Sequence, residues 1–380
     1  MSFPAEDGLV VRLTVKRGVI DAADIVSRRL VSATQPLLGR APDQAVRLVA
    51  QLFSLCKVAQ GLTAAAAVEA ARPDFRLSFV QQTARRFLLL GETVLEHGGR
   101  IAMDWPVLLG QSPNLTAVKA LRQALGDLWR ALYPAGDWMK PGGGVLQPSG
   151  ASLSARMRTV EDVLRALDLP EHPQDWQNWM AGALVRGHVA ARLMSGEPAR
   201  GARIAVRPLP HLPVARLQAR LSAADEGFLH YPEWDGAVYE TGPWARMQSH
   251  RLMAEDLPFD GQSLAARFAA RLVELLVSAR EMRDLATALC NDAGAGFTPL
   301  DGAGLAVGEA ARGRLAHRVE IRDGLVANYR ILAPTEWNFH PQGSLVQALA
   351  GQPAGDDPAQ LARLAAMALD PCVACKVEVV

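Results

Sequence analysis

Cysteine is scarce. Cys56, Cys290, Cys372 and Cys375 are the only four in 380 residues, too few and too scattered for a disulfide framework. Net charge is missing as well. Forty basic residues face thirty-nine acidic ones, leaving +1, which gives no footprint for nucleic acid or for an acidic membrane surface. No apolar run reaches the roughly 18 residues of a membrane span. The alanine-rich "LTAAAAVEAA" is interrupted by Glu69. The start, "MSFPAEDGLVVRLTV", lacks the basic and apolar regions of a secretory signal. The histidines form no H-x-x-H or H-x-x-x-H pair, and no repeat or low-complexity tail is present. These absences point to a reduced, cytoplasmic chain without nucleic-acid or membrane partners.

What is present is helix-forming and apolar. Hydrophobic residues make up 49% of the chain, enough to bury one large core. "GLVVRLTVKRGVIDAADIV" reads as two strands around a Lys-Arg-Gly turn. Apolar residues at three- and four-residue steps then predict helices over 43–71, 76–98, 115–133, 155–168, 174–195 and 262–291. Pro- and Gly-rich segments near 134–153 and 196–213 predict flexible loops, and irregular chain continues to about 260. "HRVEIRDGLVANYRIL" predicts two short strands around Asp323-Gly324, and a last helix over 357–369 ends at Asp370-Pro371. The sum is a helix-dominated α+β chain, 1–380 as one domain, with sheet pieces near both ends.

The pair C-V-A-C at 372–375 follows the Asp-Pro break, so it belongs to a turn. Taken alone it fits a soft metal, a redox couple or an incidental pair. A structural zinc site wants four ligands, and a redox pair wants a helix N-terminus after a strand. Neither condition is met locally. Cys56 and Cys290 read as packed thiols, His317 and His340 as structural groups, and Arg312 as an exposed side chain.

Read together, three separated segments change this picture. "LFSLCKVAQGLTAAAAVEAA" (52–71), "GEAARGRLAHRVEIRDGLVANYRILAPTEWNFHP" (308–341) and "LDPCVACKVEV" (369–379) resemble, in order, the cofactor-holding segments of the nickel–iron hydrogenase large subunit. "PLLGRAPDQAVRLVAQ" (36–51) resembles its N-terminal region more weakly. The resemblance implies a shortened form of the large-subunit fold. In that family two C-x-x-C pairs hold nickel and an iron carrying two cyanides and one carbon monoxide, the second cysteine of each pair bridging both metals. The match puts Cys56 and Cys375 at the bridging positions and Cys372 at a nickel-only position. The other nickel-only position falls on Phe53, which cannot ligate. Arg312 and Thr335 match the residues that hold the cyanides, and Ile331 falls where an apolar residue faces carbon monoxide.

Other departures agree. Gln60 and Glu378 stand where the family has histidines, and "DFRLSFVQQ" (74–82) replaces an expected H-x-x-H-F-Y stretch. Glu6 and Asp7 lie near the place of the proton-transfer glutamate without matching it. No cleavable extension follows Glu378, which implies a site that is never locked. These features resemble the large-subunit-like accessory proteins of the HupK/HoxV type. That resemblance implies a non-enzymatic scaffold in hydrogenase maturation. It would hold the Fe(CN)2(CO) unit transiently, without nickel, and hand it on. Implied partners are a maturation chaperone, its iron–sulfur assembly protein and the hydrogenase large-subunit precursor. A cofactor-free docking module, or a thiol redox or zinc protein using Cys372 and Cys375, remain the alternatives.

Overall fold

The computed structural model describes residues 8–27, 31–72, 75, 77–170, 176–223, 226–254, 259–290 and 304–380. Glu6 and Asp7 therefore lie outside the described residues. Strands β1 (Leu9–Lys16) and β2 (Val19–Ser27) pair antiparallel, with Leu9 opposite Ser27. Arg17 and Gly18 both take positive φ at the turn, the conformation that tight hairpins demand. Alternation does the rest, because Leu9, Val11 and Leu13 are buried in the main core while Arg12 faces solvent.

The expected helix over 43–71 is two helices. Helix α1 (Pro42–Leu52) and helix α2 (Lys57–Ala70) meet at 99°. Phe53 and Cys56 both leave helical geometry, with a short 3-10 turn, Ser54–Cys56, between the helices. The break is stabilised from outside. The Glu92 carboxylate, on helix α3 (Phe79–Gly99), accepts the first amides of α2, Val58 N–H at 2.7 Å and Ala59 N–H at 3.1 Å. Those donors have no partner within their own helix, so a buried carboxylate caps them.

Two further expected helices are also divided. The segment 115–133 resolves into Leu115–Leu125 and a 3-10 turn, Leu128–Ala131. Within 174–195 the helices Trp176–Val185 and Val189–Ser195 part at Gly187, which has φ of +69°. The stretch 134–149 carries no regular element, and helix begins at Gly150 (Gly150–Ala166). Around 196–213 lie a short helix, Glu197–Gly201, and strand β3 (Arg207–Pro208), which pairs with β4 (Tyr239–Glu240). The long helix Leu264–Cys290 packs on α3 and carries the centre of the core, with Leu264, Phe268, Leu272 and Leu275 buried.

In the C-terminal third, β5 (Leu305–Ala310), β6 (Gly313–Arg322) and β7 (Leu325–Leu332) form one antiparallel sheet. The sequence showed only its last hairpin. The closing helix Pro358–Leu369 ends at Asp370, whose φ of +55° turns the chain sharply. The chain does not trail off after Cys372. Instead β8 (Cys375–Val379) adds to β1 in parallel, with Cys375 opposite Leu9. Both ends of the chain thus share one sheet, and the two C-terminal cysteines are fixed where it meets the core. The architecture is helix-dominated α+β, with small sheets near both ends.

A candidate metal-unit site at the Cys56–Cys372 junction

Arg312 occupies the two-residue turn joining β5 to β6, where Ala310 pairs with Gly313. Its backbone is held from both sides. Asn338 Nδ2 donates to the Arg312 carbonyl at 3.3 Å, and Arg314 N–H donates to Thr241 Oγ1 at 2.9 Å. Gly242 is required here, since a Cβ there would come within 2.8 Å of the Arg312 oxygen. The A-P-T-x-W-N motif therefore has two structural roles. Asn338 clamps the arginine turn, and Thr335 opens the short helix Pro334–Asn338 beside the C-terminal cysteines.

The Thr335 hydroxyl lies 2.8 Å from Cys372 Sγ and accepts the Cys372 N–H at 3.3 Å. Cys56 lies within electrostatic reach of Cys372, Arg312 and Glu92. Burial is the largest influence on the Cys56 thiol and pushes it well up. Glu92 and Cys372 push the same way, while Arg312 and a Gln60 hydrogen bond oppose them. The balance favours the protonated thiol at Cys56.

The structure brings together Cys56, Cys372, Arg312 and Thr335. Cys375 is the first residue of β8, where burial alone raises its thiol to about 11. Among the described residues no group of three His, Cys, Asp or Glu is arranged to hold a metal ion. Ile331 packs from outside on a small cluster of Ala59, Ala310, Leu315 and Ala333. Leu315 in that cluster is fully buried. Glu378, where a family histidine was expected, pairs with Arg12 and Lys376 at the sheet surface. Phe53 sits at the α1–α2 break, partly buried against a cluster that includes Val46, Val49 and Ala64.

A charge network missed in the sequence surrounds Arg312. Its Nη2 donates to Glu96 Oε2 at 2.8 Å, and its Nε lies 3.5 Å from Asp370 Oδ1. Asp370 also faces Arg100 at 2.9 Å and Arg271 at 3.2 Å. Arg100 starts a π-helical turn, Arg100–Asp104, that continues α3; such turns recur at functional sites because they redirect one side chain. Burial works against the Arg312 charge, but Asp370 and then Glu96 outweigh it and hold the guanidinium charged. Burial likewise opposes the Asp370 carboxylate, yet its three arginines bring it down to about 2. Nη1 of Arg312 is buried with no hydrogen-bond partner. Two thiols, the unbonded Nε and Nη1 of Arg312 and the Thr335 hydroxyl are donors that would suit an anionic, hydrogen-bond-accepting group.

Glu92 gives a pH test of this geometry. Burial raises it to about 7, the Val58 and Ala59 amides pull it down, Glu96 raises it and Arg312 lowers it. A raised acid contributes stability that is complete below the unfolded value of 4.5 and is lost as pH rises through about 7. Denaturant midpoints should therefore fall between pH 4.5 and 7 and then level. Glu92→Gln should flatten that slope, and an unchanged slope would place the titration elsewhere.

Comparison with known proteins follows the fold. The Ni-Fe-Se hydrogenase of Desulfomicrobium baculatum superposes with a TM-score of 0.67 over 95% of each chain at 16% identity. A family model for nickel-dependent hydrogenase matches residues 219–378. The molecule thus has the large-subunit fold of nickel–iron hydrogenases. Over its whole length it is similar to a narrower group. It is 31% identical to the hydrogenase expression/formation protein HupK of Rhizobium leguminosarum bv. viciae, covering 100% of this chain and 98% of the relative. It is also 31% identical to the hydrogenase expression/formation protein HoxV of Cupriavidus necator, with 97% and 96% covered. The chain belongs to the HupK/HoxV family of hydrogenase expression/formation proteins, and its role is in hydrogenase maturation. Among the described residues no single helix is long and apolar enough to cross a membrane.

Proposed function

We propose that this chain carries an iron unit bearing two cyanides and one carbon monoxide, and passes it to a hydrogenase large-subunit precursor. One observation carries the reading: the buried Arg312 Nη1, unpartnered beside Cys56 and Cys372. A buried charged donor left without an acceptor is costly, and a cyanide nitrogen would satisfy it. The Thr335 hydroxyl supplies a second donor. Leu315 and Ile331 supply the apolar wall that carbon monoxide needs.

Cys372, already beside Cys56, is the entry ligand. Cys375 completes the iron set with Cys56 when the short segment before β8 shifts. Phe53 removes a nickel ligand, so the chain is a carrier in the cytoplasm and not a hydrogenase. Two or three thiolates form a weaker cage than four thiolates cross-linked by nickel. Binding is then tight enough to hold the cargo and weak enough to lose it. The small maturation chaperone and its iron–sulfur assembly partner deliver the unit.

Anaerobic purification with co-expressed maturation factors tests this. The expected result is infrared bands of bound cyanide and carbon monoxide, with iron and no nickel, all lost in Cys56→Ala. A nickel-replete protein that oxidises hydrogen would sink the reading. A docking module without cargo is the second reading, favoured by the lack of a three-ligand group among the described residues. Undiminished hydrogenase maturation in cells carrying alanine at Cys56, Cys372 and Cys375 would select it.

A further inference from the structure

We infer that the cavity between the free edge of strand β5 and helices α2 and α3 binds a small, uncharged cyclic amide, which the backbone of Val307 holds. No cysteine lines it, and it does not depend on the carrier reading above.

The cavity has a volume of about 250 Å³. Its wall is mostly aliphatic, with Leu62 and Ala66 from α2, Leu89 from α3, and Leu77, Leu212 and Val307. Four consecutive residues of β5, Ala306 to Glu309, line it. Successive side chains of a strand point to opposite faces, so a surface touching all four follows the strand's edge. β5 is the outer strand of its sheet, with β6 as its only neighbour there.

The register decides which backbone groups that edge offers. Val319 N–H donates to the Gly304 carbonyl at 2.7 Å, so these two residues form a hydrogen-bonded pair. Such pairs alternate with unbonded ones along an antiparallel ladder. Val307 opposite Ala316, and Glu309 opposite Arg314, fall on the unbonded positions. Arg314 agrees, giving its N–H to Thr241 instead. Val307 and Glu309 therefore turn N–H and C=O away from β6, and neither backbone has a partner there among the described residues. Both residues are half-buried, where an unpaired backbone group is costly.

The complement of this edge is one acceptor and one donor, side by side, on an apolar body. A cyclic amide has its C=O and N–H on the same side and meets both groups of Val307 at once. No charge is called for. The three arginines on the wall are paired already, Arg85 with Glu69 at 2.7 Å, Arg86 with Glu281 at 2.8 Å and Arg314 with Glu309 at 2.9 Å. The volume lies below the roughly 300 Å³ at which drug-sized pockets begin, so it suits one small molecule rather than an added strand.

Carbostyril, a bicyclic lactam, is the probe. It should bind the full chain saturably. In 15N-valine-labelled protein it should move the Val307 amide peak, identified by its loss in Val307→Ile. N-methylcarbostyril lacks the donor and should bind about tenfold more weakly, the effect of leaving one buried acceptor unpaired. Ala66→Phe fills the cavity and should abolish binding with an unchanged urea midpoint. If that variant is destabilised, Val307→Pro serves, because it deletes the edge N–H without breaking a ladder bond. No saturable binding, an unmoved Val307 peak, equal affinity for the methylated probe, or undiminished binding in either variant would overturn the site. Tighter binding of quinaldate, a carboxylate, or of N-acetylvaline methylamide, an extended peptide unit, would overturn the ligand class.

Discussion

Asp370→Asn is expected to cost about 3–5 kcal/mol of stability, the scale for breaking a buried ion pair by removing one partner. The carboxylate is 2% exposed and faces three guanidiniums, those of Arg100, Arg271 and Arg312. The loss would not be shared evenly. Arg100 keeps Asp104 and Arg312 keeps Glu96. Arg271 keeps the carbonyl of Ala368, at 3.2 Å, and the more distant charge of Glu274, while burial already works against its own charge. The uncompensated charge therefore falls mainly on Arg271. Adding Arg271→Met should recover part of the loss, since removing both partners of a buried pair is far cheaper than removing one. Urea titration at neutral pH measures both variants. A loss below about 1 kcal/mol would mean that the cluster behaves like a surface pair. The wild-type contribution has its own pH window. Asp370 is depressed from 3.8 to about 2, so its stabilisation is complete above the upper value and is lost as pH falls through the lower one. Glu92 acts in the opposite sense at higher pH, so the two groups can be told apart in one set of titrations.

The same residue explains why part of the site could be read in the sequence and part could not. Asp370-Pro371 is visible as a helix stop, and Asp323-Gly324 as a hairpin turn with both residues at positive φ. Those are local signals. The arginines that hold Asp370 come from the end of α3, the long helix Leu264–Cys290 and the β5–β6 turn, and no spacing rule joins them. The α1–α2 break is similar. Apolar residues continue at helical spacing through Phe53 and Leu55, with no glycine or proline to interrupt them. What caps the start of the second helix is a Glu92 carboxylate from 34 residues away. Strand β8 pairs with a partner at the other end of the chain, beyond any local pattern. The cysteines, Arg312 and Thr335 were legible only because three motifs were matched as a set. Motif matching names the residues at a site but not their neighbours, which is why the acids Glu92 and Glu96 emerged only with the fold.

Arg312 is where a structural role and the proposed cargo role can be separated. Its Nη2 donates to Glu96, and its Nε meets Asp370 only as an ion pair at 3.5 Å, so Nε and Nη1 both lack a hydrogen bond. Lysine carries the same charge but concentrates it at one point, so it cannot face Glu96, Asp370 and a third acceptor at once. Arg312→Lys should therefore keep the fold, with a denaturation midpoint near wild type, while losing the donor meant for cargo. A hydrogen bond to a charged group is worth about 1.5–3 kcal/mol, so iron should leave the variant roughly ten- to a hundredfold faster. The cyanide bands of whatever remains should shift, because one nitrogen has lost its donor. Arg312→Met should lose the cargo too, yet it should be less destabilised than Asp370→Asn. Asp370 would still have Arg100 and Arg271, and Glu96, which is 20% exposed at its side chain, can reach water. Iron analysis and infrared spectra of anaerobic preparations, set beside urea titrations of the same samples, decide the matter. If both variants hold iron as the wild type does, with unmoved bands, Arg312 is a structural charge only and the cyanide-binding assignment falls. If stability drops and cargo retention does not, the orphaned N–H serves the fold. Loss of cargo at near-native stability in the lysine variant is the outcome that a holding site requires.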